Sequence, residues 1–461
     1  MIAVNDLWRE VYPYLAAQIM AAYGRTSGRV LELGPFSGGI SYEMAARHPA
    51  LEFILADDHR EYLAYLKGEI QRRNLSRCIE VVDASLDNLP FGDASFDLVI
   101  LRGAFFFIME RPHILSQIHR VLAPGGLAFV GGGYGKDIPQ SIIDSIVEES
   151  RILNDRLGRR RTTLNELKSI VRANRLEEQT TVVEDGGVWL LVRKSVSLAE
   201  EKKTSRLAEA FDLRTAEVIS LVGGGGKTSL MFTLAHELSN AGKKVISTTT
   251  TRILEPAAEE SPCLIVEEDE ERLLSRLKEE LCRHSHVTAV RLKSDDGKLK
   301  GLLPETVDRL AAMRLADYII NEADGAARKP IKSPNATEPV IPTSTTLVVA
   351  VVGVDALNSP LSQEIAFRPE IITRLTGLSE GGIITPEVIA TLVTDEKGII
   401  QHTPRKARIV PFINKVELAR HPAEVKNLAA AILSRRHPQI QRVVSGSLRA
   451  KKPEFHIFEA A

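Results

Sequence analysis

Residues 218–230 read VISLVGGGGKTSL: a short apolar strand, the four glycines Gly223, Gly224, Gly225 and Gly226, then Lys227, Thr228 and Ser229 opening a helix-compatible run. A strand that passes to a helix through such a turn belongs to an α/β layer, and the order suits a polyphosphate. Glycines let backbone N–H groups crowd around an anion, and the helix N-terminus adds partial positive charge. Lys227 is placed to reach terminal phosphates, and Thr228 supplies a hydroxyl for Mg2+. In the spacing G-x-x-x-x-G-K-[ST] the first glycine would fall at Leu221, so the loop is a compact variant. A glycine turn that binds nothing would not require the Lys-Thr pair. Lys227 is expected at a surface cleft.

This loop accounts for only part of the chain. At 461 residues the sequence is too long for one ordinary core and implies more than one domain. A hydrophobic content of 44% with 26% charged residues describes a soluble globular protein. The formal net charge of −1 creates no global field to recruit nucleic acid or an anionic membrane, and neither is expected as a partner. The basic run 156–161 reads as a solvated loop. Cys78, Cys263 and Cys282 are widely spaced, which argues for a reducing compartment without a disulfide framework. The segment Cys282-Arg-His-Ser-His286 lacks a second ligand pair at zinc-like spacing and reads as a helix end. The N-terminus has no apolar leader, and no stretch reaches about 18 uninterrupted apolar residues. A cytoplasmic location is expected.

The first half alternates strand-like segments at 29–33, 52–56, 79–82, 96–101 and 127–130 with helical stretches such as 62–73 and 113–122. That alternation predicts a parallel sheet covered by helices on both faces. Thr163-Leu-Asn-Glu166 forms a capping box opening a further helix. Strands at 180–184 and 188–192 flank Asp185-Gly-Gly187, a hairpin signal. The polar segment 195–206 reads as a linker, dividing a domain over 1–194 from a second over 207–461. Strands of the second are expected at 244–247, 263–267, 287–292, 317–321, 346–352 and 407–413. The fold class is therefore α/β, with two doubly wound domains.

In the first domain, the strand through Glu32 runs into Gly34-Pro-Phe-Ser-Gly38-Gly39. Turns at the carboxyl ends of such strands are where doubly wound folds place ligands. The second strand ends in Asp57-Asp58, suited to ribose hydroxyls, and the third ends in Val82-Asp83-Ala84. Taken alone, an Asp at a strand end is as readily a turn former or a cap. The ordered series resembles class I S-adenosylmethionine-dependent methyltransferases over about residues 29–130. The turn 121–126, Val-Leu-Ala-Pro-Gly-Gly, resembles that family's turn before its fifth strand. The resemblance implies a Rossmann-like fold and S-adenosylmethionine as cofactor. It implies that Glu32, Gly34 and Gly38 contact the methionine part, Asp57 the ribose, and Asp83 with Ala84 the adenine. Phe36 stands where the family has its middle glycine, and its side chain narrows the expected approach. A dinucleotide oxidoreductase is the competing reading, but the G-x-G-x-x-G spacing is absent.

In the second domain, hydroxyls from Thr248 to Thr251 follow the next strand and are expected to line the phosphate or acceptor site. Residues 316–325 form a strand ending in Glu322, Asp324 and Gly325. An acid there can hold Mg2+ beside phosphates, Asp324 being the first choice and Glu322 the second. The segment 328–339, with Lys332, Glu338 and three prolines, reads as a substrate- or phosphate-facing loop. The turn Asn414-Lys415-Val-Glu417 resembles the Asn-Lys-x-Asp base-reading element of GTPases. Its Glu417 departs from the family's Asp and leaves ATP or GTP open. Together the Gly-Lys-Thr loop, the threonine run, Glu-Ala-Asp-Gly, the 328–339 loop and Phe367-Arg368-Pro-Glu370 resemble the YqeC family over roughly 207–458. That resemblance implies a P-loop nucleotide-binding domain and an accessory role for selenium-dependent molybdenum hydroxylases, with that enzyme or its cofactor as a partner. Arg368 matches the family's Arg-Pro-Glu element and is an acceptor-site candidate.

The sequence thus reads as a bifunctional enzyme: methyl transfer to a small molecule in the first domain, and Mg2+-nucleotide hydrolysis or phosphoryl transfer in the second, with Lys227, Asp324 and Arg368 as catalytic candidates. The alternative is a nucleotide-switched protein that delivers a cofactor or binds an apo-enzyme, its first domain only sensing S-adenosylmethionine.

Overall fold

Seven strands build the first sheet, in the spatial order Ile79–Asp83, Ala50–Asp57, Ser27–Leu33, Phe96–Leu101, Leu122–Gly133, Gly187–Arg193, Thr180–Val183. The first five run parallel, and Gly187–Arg193 pairs antiparallel with both the fifth strand and Thr180–Val183. Successive residues of a strand face opposite sides, and both sides are apolar here. Leu98 and Ile100 join a core with the helices Tyr12–Tyr23 and Gly39–Arg47, while Val99 and Leu101 join one with Ile114–Val121 and Leu164–Ala173. That two-sided burial is why the strands read as continuous apolar runs. Thr163 caps its helix as expected, its side chain accepting from the Glu166 amide while Glu166 accepts from Thr163. The hairpin turns at Gly186, whose φ of 65° suits glycine. The fifth strand begins at Leu122, five residues before the sequence suggested, because Leu122 already pairs with Phe96 ahead of an irregularity in which Gly125 takes φ 74°.

The computed structural model describes residues 7–102, 105, 108, 110–156, 163–295, 297–450 and 452–461, without the side chains of 150, 153–156 and 178. The basic run 156–161 lies outside these apart from the backbone of Arg156. The chain divides into two compact units, Met1–Ser195 and Val196–Ala461.

The second unit holds a ten-stranded sheet. Its order is Leu264–Val266, His286–Val290, Val245–Thr249, Tyr318–Glu322, Glu217–Gly223, Leu347–Gly353, Arg408–Asn414, Arg442–Gly446, Phe455–Glu459, Lys202–Thr204. The first eight run parallel, and Phe455–Glu459 pairs antiparallel with both Arg442–Gly446 and Lys202–Thr204. Lys202–Thr204 falls in the stretch read as a linker. It escapes an apolar pattern because it is an edge strand whose register partner is Phe455–Glu459. Along Leu347–Gly353, Leu347, Val349 and Val351 face one core while Val348, Ala350 and Val352 face the other. Among the described residues no helix is long and apolar enough to cross a membrane.

Candidate functional site

In the first unit the sequence-predicted residues gather at the carboxyl edge of the parallel strands. Asp57 and Asp83 end neighbouring strands and sit opposite one another in register. Gly34 (φ 54°) and Gly38 (φ 74°) make the turn after the first strand in a backbone region that side chains rarely adopt. A Cβ at Gly38 would lie 2.6 Å from the Tyr42 ring. Glu32 is buried, and its Oε2 accepts from Ser41 Oγ at 2.5 Å. Burial pushes its carboxyl up to about 7, with the Ser41 hydroxyl and Arg102 pulling the other way.

Asp57 is also buried, and its Oδ1 accepts from the His59 amide at 2.9 Å and lies 2.9 Å from His59 Nδ1. That contact with Asp57 holds the exposed imidazole above its ordinary pKa. No donor among the described residues reaches Asp57 Oδ2, so one carboxylate oxygen remains for a hydroxyl. Asp83 is exposed, and the buried Ala84 donates its amide to Asp57 O at 3.0 Å.

Phe36 does not simply stand in the way. It takes φ 57°, the left-handed conformation the missing glycine would take. Its ring packs 5.8 Å from Tyr62, which in turn stacks 5.1 Å from His59, so an aromatic row flanks Asp57. The sequence reading missed Arg102, at the end of the fourth strand. Its guanidinium lies 3.9 Å from the Trp8 ring centre, and Trp8 stacks on Tyr134 at 5.3 Å. Burial lowers the Arg102 pKa while Tyr12 and Glu32 raise it, so its charge and that of buried Glu32 act on one another. A lone arginine after an apolar strand gives no sequence signal of that stack.

In the second unit the strand continues through Gly223, and the helix begins at Lys227. The intervening turn is therefore only residues 224–226. Gly223, Gly225 and Gly226 all have positive φ, and a Cβ at Gly225 would lie 2.3 Å from the Gly353 amide nitrogen. Three loop amides already have partners: Gly223 donates to Asp324 Oδ2, Gly224 to Val351 O and Gly225 to Lys329 O, at 3.1, 2.9 and 2.9 Å. The first-turn amides of Lys227, Thr228 and Ser229 have no helical acceptor, and these are what the helix offers an anion.

Lys227 is buried at 4% exposure, a correction to its expected place at a surface cleft. Its Nζ donates to Gly223 O at 2.6 Å and pairs with Asp324 Oδ1 at 3.0 Å and Glu322 Oε1 at 3.7 Å. Burial would lower its pKa, but the two carboxylates outweigh it and hold the ammonium above its ordinary value. Thr228 Oγ1 donates to Glu322 Oε2 at 2.8 Å. Burial raises the Glu322 carboxyl, opposed by Lys227 and Thr228. Asp324 Oδ1 is buried, with the Lys227 ammonium at 3.0 Å as its partner. Two carboxylates on one lysine, with the Thr228 hydroxyl on one of them, are hard oxygen donors of the kind that fits Mg2+.

The pairing extends further than the sequence showed. Lys332 is fully buried, and its Nζ lies 3.1 Å from Asp324 Oδ2 and 2.9 Å from Glu338 Oε2 while donating to Gly325 O at 2.8 Å. Arg368 then grips Glu338 through both oxygens at 2.6 and 3.2 Å. The result is one line of alternating charge: Arg368, Glu338, Lys332, Asp324, Lys227, Glu322. Burial raises Glu338, but Arg368 and Lys332 outweigh it and hold the carboxyl below its ordinary range.

One expectation is corrected. Three of the four threonine hydroxyls are spent on backbone carbonyls, Thr248 on Ala289, Thr249 on Glu322 and Thr250 on Val340, at 2.7, 2.7 and 2.6 Å, and Thr251 Oγ1 lies 3.2 Å from Thr249 Oγ1. They tie neighbouring segments together and do not line an open site. Asn414 Nδ2 donates to Gly225 O at 2.8 Å, fastening the Asn-Lys-x-Glu turn to the glycine loop, with its buried Oδ1 left without a partner. Lys415 Nζ pairs with Asp355 Oδ2 at 2.7 Å, and Glu417 is exposed. Asn414 therefore braces the loop, a role its motif alone does not reveal.

Two family models match the chain: "Methyltransferase domain" over residues 31–130 and "YqeC protein" over residues 219–370. The protein YqeC of Escherichia coli K12 is 34% identical over 201 residues, covering 43% of this chain and 75% of that protein. The ubiquinone/menaquinone biosynthesis C-methyltransferase UbiE of Geotalea uraniireducens is 27% identical over 128 residues. That match covers 28% of this chain and about half, 52%, of the UbiE length. A solved structure of a candidate S-adenosyl-L-methionine-dependent methyltransferase from Methanococcus maripaludis aligns with 23% identity and a TM-score of 0.38, over 42% of this chain and 89% of that one. The chain belongs to the YqeC family and carries a methyltransferase domain ahead of its YqeC region.

Proposed function

We propose that the chain is a bifunctional accessory enzyme of the cytoplasm. Its first domain transfers a methyl group from S-adenosylmethionine to a small molecule. Its second uses ATP or GTP with Mg2+, by hydrolysis or phosphoryl transfer, in the maturation of a selenium-dependent molybdenum hydroxylase or its cofactor. The observation that carries the nucleotide half is Lys227, buried between Asp324 and Glu322 at the first turn of the loop helix. Burying an ammonium between two carboxylates is costly, and here the cost is met beside amides that have no helical acceptor. A phosphate would take Lys227 and the amides of Gly226, Lys227, Thr228 and Ser229. Thr228, Glu322 and Asp324 would hold Mg2+, which neutralises charge developing on the phosphates. In the first domain, Glu32, Gly34 and Gly38 would receive the methionine part, Asp57 the ribose hydroxyls, and Asp83 with Ala84 the adenine. The bound cofactor supplies an activated methyl group, and the domain's own contribution is to fix that group against its acceptor.

Calorimetry of the full-length protein with S-adenosylmethionine, Mg-ATP and Mg-GTP tests both halves. One equivalent of S-adenosylmethionine and one of a nucleotide are expected. Absence of binding by both nucleotides would remove the second half of the proposal. A nucleotide-switched delivery protein is the second reading, favoured by a loop whose Gly223, Gly224 and Gly225 amides are already engaged. Stoichiometric binding with negligible turnover is its expected outcome.

A further inference from the structure

The segment 282–286 carries no metal pair of its own, yet the fold brings one of its histidines to a distant cysteine. His284 follows the helix Glu270–Arg283 as its C-cap, one turn beyond Glu280 on the same face. Cys263 immediately precedes Leu264–Val266, the edge strand of the second sheet. Cys263 Sγ lies 3.9 Å from Glu280 Oε2, and His284 Nε2 lies 3.6 Å from the same oxygen. All three ligand atoms fall within 4.8 Å of one another, and all three residues are partly exposed.

Those separations are close to what one tetrahedral ion demands. With Zn–S near 2.3 Å, Zn–O near 2.1 Å and Zn–N near 2.0 Å, sulfur and oxygen ligands sit about 3.6 Å apart, and nitrogen and oxygen about 3.4 Å. These two pairs need to close by only a few tenths of an ångström, while the sulfur–nitrogen pair, within 4.8 Å, has to reach about 3.5 Å. A thiolate, an imidazole and a carboxylate form the borderline-soft set that suits zinc over magnesium or calcium. Among neighbouring cations, Arg283 reaches the other Glu280 oxygen, Oε1, at 3.2 Å, and Arg276 is turned to Val266 O at 3.3 Å and Glu267. Glu280 Oε2 therefore faces Cys263 and His284.

We infer that Cys263, Glu280 and His284 form a zinc site with three protein ligands and a fourth position open to solvent. The ion would clasp the edge strand to the end of the helix, at a sheet edge that otherwise pairs on one side only. This site is separate from the nucleotide residues and does not rest on their assignment.

The test is titration of metal-free, full-length protein with Co2+ under reducing conditions. One equivalent should produce a thiolate-to-cobalt charge-transfer band and tetrahedral d–d absorption, both displaced by one equivalent of Zn2+. C263S should abolish the charge-transfer band, and E280Q should weaken cobalt affinity at least about tenfold with unchanged circular dichroism. C282S should leave the spectrum intact, because that thiol is turned to Lys278 O at 3.2 Å on the exposed side of the helix. No thiolate band in the wild type, a band that persists in C263S, unchanged affinity in E280Q, or loss of the band in C282S overturns the assignment.

Discussion

Replacing Glu32 by Gln should flatten the pH dependence of stability of the first unit. The native carboxyl is pushed by burial up to about 7 from the ordinary 4.5, so between these values the folded protein holds a proton that the unfolded chain has released. Stability therefore falls as pH rises. The contribution is fully present below pH 4.5 and is lost as pH passes through about 7. At 1.36 kcal/mol per tenfold, the whole displacement corresponds to about 3 kcal/mol, of which about 2.5 kcal/mol falls between pH 5 and 8. Gln keeps the shape and an oxygen for Ser41 Oγ but cannot ionise. Relative to wild type, E32Q should thus gain about 2.5 kcal/mol between pH 5 and 8. Both tryptophans of the chain, Trp8 and Trp189, lie in this unit, and Trp189 is fully buried. Urea unfolding followed by tryptophan fluorescence therefore reports on it selectively. Stability profiles for wild type and E32Q that stay parallel within about 0.5 kcal/mol across that range would refute the assignment of the raised pKa to Glu32.

Asp57→Ala should weaken S-adenosylmethionine binding about 10–150-fold in calorimetry, because losing a charge-assisted hydrogen bond costs about 1.5–3 kcal/mol; unchanged affinity in a folded variant removes the ribose role. Lys227→Ala should abolish nucleotide turnover and also destabilise the second unit by about 3–5 kcal/mol, since it leaves Asp324 and Glu322 buried without their shared cation. A variant with wild-type thermal stability would show that the pairing contributes little. Asp324→Asn should retain much of the nucleotide binding and lose its Mg2+ dependence, read by calorimetry with and without the metal; undiminished Mg2+ dependence counts against Asp324 as a ligand. Lys332→Met should destabilise by a similar amount to Lys227→Ala, because Asp324 and Glu338 then lose the ammonium between them; differential scanning calorimetry decides it.

The strands were legible because burial on both faces writes itself as unbroken apolar residues, as in Phe96–Leu101 and Leu347–Gly353. The edge strand Lys202–Thr204, which reads Lys-Lys-Thr, had no such signature. At the sites, backbone placement was legible: Gly34, Gly38 and the 223–226 loop make tight turns after their strands, and Asp57 and Asp83 lie at strand ends. Side-chain destinations were not legible. Asn414 spends its amide on Gly225 O, and Lys332 reaches Asp324 across a loop. Both outcomes depend on contacts between segments far apart in sequence, as does the approach of Cys263 to His284.

On the proposed nucleotide reading, the burial of Lys227 sets how a phosphate would be bound. A lysine exposed in a cleft would meet a phosphate by simple attraction. A lysine already neutralised by Asp324 and Glu322 must exchange one set of partners for another, and the gain is only the difference between them. Phosphate alone would leave buried Glu322 without a cation and Asp324 with Lys332 alone, whereas phosphate with Mg2+ gives both carboxylates a further cation. The nucleotide should therefore bind weakly without the metal, and Mg2+ weakly without the nucleotide. That coupling is a property of the Lys227–Asp324–Glu322 triad and not of the glycine loop. The double variant K227M/D324N tests it: with the buried charges removed in a pair, nucleotide affinity should become insensitive to Mg2+ while the fold is retained. A double variant as Mg2+-dependent as wild type would place the metal on other ligands.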